Sequence, residues 1–295
     1  MIPLIGIPTV ALFGQLLLGL INGSFYALLS LGLAVIFGML RVINMAHGAQ
    51  YMLGAFASWL LLNYLGIGFW LSLVLAPLCV GLLGILVERL LLAHLYQSDH
   101  LYGLLLTFGV ALVAEGLFRY WFGSSGQPYA PPEALDGAVD LGFMILPMYR
   151  GFIVVASLLV CLAVWWVIER TKFGAYLRAA TENPVLVQTF GVNVPLLMTL
   201  TYGLGAALAA LAGVLAAPIY QVSPLMGQNL LIVVFAVIVI GGMGSIGAAI
   251  ATGYIVGIIE AVTKLVYPEA ANTVIFVLMV IVLFFSPKGL FGREQ

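Results

Sequence analysis

Charge is what this sequence has least of. Ten Lys and Arg and eleven Asp and Glu make up 7% of its 295 residues, where a soluble domain carries about 25%. A chain so poor in charge cannot solvate a globular surface. The basic residues form no run, so no nucleic-acid partner is expected. Lysine occurs only at Lys172, Lys264 and Lys288, followed by Phe, Leu and Gly, so no Gly-Lys-Ser/Thr phosphate loop exists. His47, His94 and His100 lack the H-E-x-x-H spacing of a metal site, and neither cysteine has a ligand-type neighbour. No catalytic residue, metal or cofactor is therefore expected. Cys79 and Cys161 lie in apolar runs and read as small hydrophobes rather than a disulfide. The first Lys or Arg is Arg41, so the basic start of a signal peptide is not expected.

What is abundant is apolar: 64% of residues, with a mean hydropathy of +1.20. Runs of about 20 apolar residues recur from end to end, the length that crosses a hydrocarbon core. They are continuous rather than alternating, which predicts helices instead of a barrel. The expected fold is an all-α integral membrane protein, a polytopic bundle of about 8–10 spanning or partly spanning helices, broken near a pathway. The spans fall near 10–38, 48–66, 69–92, 101–122, 150–168, 196–218, 228–242, 246–266 and 271–286. The chain reads as one transmembrane domain over 1–295. With the N-terminus outside, Arg41, Arg89, Arg170, Lys172, Arg178, Lys288 and Arg293 fall on the cytoplasmic side, as positive-inside loops require. The 123–149 connection holds Glu133, Asp136 and Asp140 but no Lys or Arg, and its Gly and Pro predict an irregular external loop.

Residues 41–50, RVINMAHGAQ, place Asn44, His47 and Gln50 among apolar neighbours. Non-helical backbone at membrane depth is tolerated only inside protein or beside a water-filled path. The stretch predicts a break in a helix bordering a translocation route, with neutral donors and acceptors for a small polar solute. Two other readings fit the same residues: hydrogen bonding between helices, or a wetted cytoplasmic turn. The glycines at Gly241, Gly242, Gly244 and Gly247, with Ser245, predict a second break near the pathway. Glu115 with Arg119, and Glu260 with Lys264, have the i, i+4 order that favours pairing within a helix, with the bases snorkelling outward.

The cytoplasmic loop, 169–195, carries helix signals of its own. Asn183 can cap a helix starting at Pro184, and Gly191 can end it in the left-handed region. Leu186 and Phe190 then share a face. A helix so short is marginal alone and must pack, either back on its own bundle or, as the loop's length, basic flank and cap signals favour, as a docking knob for a cytoplasmic partner.

Three separated stretches resemble the permeases of branched-chain amino acid ABC importers. NGSFYALLSLGLAVIFGMLRVINMAHGAQYMLGAF matches the family's first long segment through Asn22, Gly23, Tyr26, Gly38, Asn44, His47, Gly48 and Gly54, with Gln50 standing where an acidic residue is often nearby. KFGAYLRAATENPVLVQTFGVNV matches its coupling loop through Gly174, Arg178, Ala179, Asn183, Pro184 and Gly191. VIVIGGMGSIGAAIATGYIVGIIEA matches a late glycine-rich segment ending at Glu260. The resemblance implies a transport subunit that lacks its own ATPase. Its implied partners are two cytoplasmic ABC ATPases, a second related permease (heterodimer or homodimer) and a periplasmic solute-binding protein, all at a bacterial inner membrane. The expected solutes are branched-chain or other hydrophobic amino acids. Alternatives are urea, short amides or small carboxylates, or an ion-coupled secondary transporter.

Overall fold

The computed structural model describes residues 8–40, 42–96 and 98–291, so Arg41 and Arg293, used above for orientation, lie outside the described residues. Helices are α1 (Thr9–Leu40), α2 (His47–Leu65), α3 (Phe69–Leu90), α4 (His100–Phe122), α5 (Met148–Arg170), α6 (Lys172–Glu182), α7 (Pro184–Thr189), α8 (Val194–Ala216), α9 (Met226–Gly241), α10 (Ile246–Val266) and α11 (Ala271–Phe285). Among the described residues, seven segments are long and apolar enough to span a membrane: α1, α3 with its 3-10 extension to Leu95, α4, α5, α8, α10, and α11 with the turn before it. The two remaining predicted spans, α2 and α9, are special cases described below. The protein is a polytopic helical membrane protein. The 123–149 connection is less irregular than expected: β1 (Ala138–Asp140) and β2 (Ile145–Pro147) pair antiparallel, Val139 opposite Leu146.

Contacts divide the chain into two compact units. One comprises residues up to Ser30, Pro131–Cys161 and Val233 onward; the other comprises Leu31–Ala130 and Leu162–Ile232. In the first, α1 and α10 run antiparallel at very close approach. A Cβ on Gly23 would lie 2.9 Å from the Tyr254 backbone, and one on Gly253 would lie 2.6 Å from that of Ala27. Small residues four apart on both helices permit this contact, the usual way apolar helices gain packing in lipid. Tyr26 donates to the Glu260 carboxylate across the seam, 2.6 Å. Exposed Lys264 is not within ion-pair distance of that acid, so the neighbouring helix, not the i+4 lysine, meets Glu260.

In the second unit α2, α3 and α8 form the most heavily packed group. Gly81 and Gly84 of α3 seat on Gly203 and Ala206 of α8, and Gly54 of α2 seats on Ala210. Several polar groups inside are paired with one another. Ser58, Ser72 and Tyr129 join their hydroxyls at 2.8–2.9 Å. Glu88, a fully buried carboxylate, accepts from Tyr96 at 2.6 Å and from Thr199 at 2.7 Å. Burial and the Glu88 carboxylate raise the Tyr96 hydroxyl well above its usual range, so it stays protonated and remains a donor.

Candidate functional site

The helix break predicted at 41–50 is present, and it lies inside the second unit rather than at a wetted turn. Helix α1 stops at Leu40 and α2 starts at His47. Between them the chain climbs beside α4. Val42 lies against Gly103, the Met45 N–H donates to Thr107 at 3.1 Å, and Ala46 and Ala49 pack on Ala111. Ala111 is the midpoint of α4 (His100–Phe122). Helix α2 therefore begins halfway along its neighbour, and Asn44, His47 and Gln50 are buried there, none more than 6% exposed.

Helix α9 begins in the same way from the opposite end. Residues Gln127 and Val222 pair just past the end of α4, and by Gln228 the chain has reached Glu115, whose carboxylate accepts from the Gln228 amide. Glu115 precedes the last residue of α4, Phe122, by two turns, roughly 10 Å. The first turns of α2 and α9 then meet backbone to backbone. A Cβ on Gly48 would sit 2.7 Å from the Gly227 carbonyl, and one on Gly227 only 2.0 Å from that of Gly48. No other residue type fits either position without moving a helix. Glu115 hydrogen-bonds Gln228 while exposed Arg119 stays beyond ion-pair distance, so its direct partner again comes from another helix.

Beside this crossing the polar side chains close a ring. Asn44 donates its amide to Gln50 at 3.3 Å, Gln50 donates to the Tyr202 hydroxyl at 3.3 Å, and that hydroxyl donates to the Asn44 carbonyl oxygen at 3.3 Å. The same oxygen accepts the Ala46 N–H at 3.0 Å, turning the chain into α2. The imidazole of His47 packs over Gly32, its Cε1 3.0 Å from where a Cβ would stand. Of the residues gathered here, the sequence singles out Asn44, His47, Gly48 and Gln50 but not Tyr202, Gly227 or Gln228. The Gly-Gln pair at 227–228, opening a short apolar helix, was the available signal.

The late glycine cluster is in the other unit. Gly241, Gly242, Gly244 and Ser245 form the turn from α9 to α10, with φ of +110° at Gly242 and +93° at Gly244. The C-terminal turn closes over it: the N–H groups of Leu290 and Phe291 donate to the carbonyls of Ile240 and Gly241 at 2.8 and 3.0 Å. Ser245 caps α10 through Ala248 at 3.4 Å. Here the glycines make a tight turn and a close backbone approach, Gly289 lying against Gly242.

The loop at 169–195 holds two helices where one was expected. Helix α6 is the addition; its signal is an amphipathic pattern, with Gly174, Leu177 and Ala180 buried at three-residue spacing. Arg178 turns back onto α5, and Ala179 is exposed, its carbonyl taking the Asn183 N–H. Helix α7 is capped as predicted: Asn183 accepts from the Leu186 N–H at 2.9 Å, Pro184 stands in the first turn, and Gly191 has φ +83°. Val187 is buried, whereas Val185, Leu186 and Phe190 are 70%, 52% and 78% exposed.

The whole chain compares with known proteins as follows. Residues 15–283 match the family model described as "Branched-chain amino acid transport system / permease component". The chain is 30% identical to the high-affinity branched-chain amino acid transport system permease protein LivH of Escherichia coli K12, covering 95% of this chain and 96% of that protein. It is 29% identical to BraD of Pseudomonas aeruginosa PAO1, named in the same words, over the same shares. It is also 27% identical to LivM of Escherichia coli K12, over 90% of this chain and 67% of that one. No solved structure matches. A polytopic bundle with helices broken at mid-depth, matched along nearly its full length, is a transport component and not an enzyme: the chain belongs to the branched-chain amino acid transport system permease family.

Proposed function

We propose that this chain is one of two permease subunits of an ATP-binding-cassette importer for branched-chain and similar hydrophobic amino acids, set in a bacterial inner membrane with its N-terminus outside and C-terminus inside. The observation that carries the substrate class is likeness over nearly the full chain to relatives named for branched-chain amino acid transport. A heterodimer is favoured over a homodimer because LivH and LivM of one organism both resemble this chain. A periplasmic binding protein delivers the solute at the acidic 123–149 connection, and two cytoplasmic ATPases supply the energy.

The ATPases grip α7. Its support is the pairing of a satisfied frame with unsatisfied apolar surface: Asn183 and Gly191 fix the helix, and Leu186 and Phe190 project from it. Such projecting anchors carry most of the energy of an interface.

The solute passes the crossing of the α2 and α9 starts, with Asn44, His47, Gly48 and Gln50 beside the route. The glycines keep that crossing thin, and the neutral ring of Asn44, Gln50 and Tyr202 can exchange one of its own hydrogen bonds for one to a passing zwitterion. The turn at Gly241, Gly242, Gly244 and Ser245 is assigned to the substrate pathway as well.

Reconstitution tests it. Proteoliposomes holding this chain with a second permease, ATPases and binding protein should import leucine on ATP. Import by this chain alone on a proton gradient would replace the importer reading with an ion-coupled carrier.

A further inference from the structure

A helix leaves its last four carbonyls without partners inside the helix. At the end of α5 two of them are taken by the chain that follows. The Val167 carbonyl accepts both the N–H and the hydroxyl of Thr171, at 3.2 and 2.5 Å. The Ile168 carbonyl accepts Arg178 Nη1 at 2.6 Å, and the same guanidinium stands 3.6 Å from the Glu169 carboxylate. Only Thr171 separates α5 from α6. The fold-back is tight: a Cβ on Gly174 would sit 1.7 Å from the Ile168 carbonyl, which makes glycine obligatory there. A cation donating to a helix C-terminus is favoured by charge assistance and by the helix dipole. Because both side chains of the ion pair are more than 40% exposed, the carboxylate contributes little, and the bond to Ile168 is the informative contact.

The other end of α6 is held too. The Thr181 hydroxyl donates to the Leu177 carbonyl at 2.8 Å and to that of Gly38, in the last turn of α1, at 3.3 Å. Asn183, the single residue between α6 and α7, closes the first helix through its N–H and caps the second through its side chain. Toward α8 the linkage is looser: Gly191 has φ +83°, and nothing lies within 4 Å of where its Cβ would stand.

We infer that Arg178 is a positioning residue for energy coupling: it locks α6 onto the end of α5, so that displacement of α7 reaches α5 and the inner end of α1 instead of being absorbed at Thr171. The inference rests on the reading that α7 docks an ATPase. It adds where the motion goes. Helix α1 ends at Leu40 and leads straight into the broken stretch at 42–46, which gives the elbow a direct line to the polar ring.

The test uses the complete importer in proteoliposomes, with leucine imported and ATP hydrolysed measured in the same vesicles. Arg178→Ala should lower leucine per ATP at least fivefold, and Arg178→Lys, whose ammonium can still reach the Ile168 carbonyl, should recover half or more of the native ratio. An unchanged ratio in Arg178→Ala overturns the inference. If that variant fails to assemble, Arg178→Met, which keeps the stem without the donor, takes its place. Failure of both to assemble makes Arg178 a folding residue and also overturns it. The docking reading has its own arm: Leu186→Asp should strip the ATPases from the complex. Their retention, with native coupling, sinks that reading whatever Arg178 does.

Discussion

The broken stretch at 42–50 and the loop helices at 172–189 are built from similar parts and left in opposite conditions. Each has an asparagine turning the chain into a helix through a backbone N–H: Asn44 for α2, Asn183 for α7. Each has glycines where other residues cannot stand, Gly48 in one and Gly174 in the other. In the first region, Asn44 and Gln50 are buried and bonded to each other and to Tyr202. In the second, the frame is bonded but Leu186 and Phe190 face outward. In one region Asn44 and Gln50 meet their partners within the chain; the other has apolar surface to give away. Polar groups left unpaired in an apolar interior cost more than they return, whereas an apolar side chain left in water is a gain waiting for a partner.

The largest effect should come from the first region. Gly227→Val drives a side chain into the backbone of Gly48; overpacking costs about 1–3 kcal/mol and occasionally more, and a clash with backbone that cannot give way falls at the upper end. We expect loss of folded protein, read as a collapse of the thermal melt in detergent. A native melting temperature for this variant would mean that the α2 and α9 starts do not touch, and the contrast between the regions would go with it.

Leu186→Asp and Phe190→Asp should follow in size, but in a different observable. Interface anchors are worth on the order of 2 kcal/mol, so ATPase affinity should fall about 30-fold in each. The melting temperature of the permease alone should hold steady, since surface changes stay within about 0.5 kcal/mol. A drop in stability with affinity intact would move α7 from the second region's logic into the first's.

The sequence carried these regions unequally. The helices were legible because a spanning segment needs a long apolar run whatever it packs against. Capping of α7 was legible because Asn-Pro before the helix and Gly after it act locally. The break at 41–50 was legible as polar residues in an apolar setting, but its depth was not, since that depends on Val42 and Met45 lining up with Gly103 and Thr107 of a distant helix. For the same reason Tyr202, 158 residues from Asn44, could not be joined to the ring. Intrahelical pairing for Glu115 and Glu260 followed a sound local rule, but Gln228 and Tyr26 on other helices offered these acids partners inside the protein. Glu88 was hidden beside Arg89, where a Glu-Arg pair at a helix end reads as surface.

The two asparagines give the sharpest form of the comparison, and Asn183 its smallest effect. Asn44→Ala removes an acceptor shared by the Ala46 N–H and the Tyr202 hydroxyl, and a donor to Gln50, all in a buried site. It should lower global stability by about 2–3 kcal/mol, because each stranded group keeps its desolvation cost. Asn183→Ala removes one cap on an exposed helix, worth about 1 kcal/mol, and water can take up the freed Leu186 N–H. The change should therefore be local. Amide exchange at Leu186 and Val187 should quicken several-fold while the global melt stays in place, and Asn183→Asp should restore protection because a carboxylate caps equally well. If Asn183→Ala shifts the global melt as far as Asn44→Ala does, the loop helices are part of the folded core, and their outward side chains are a consequence of packing, not surface held for a partner.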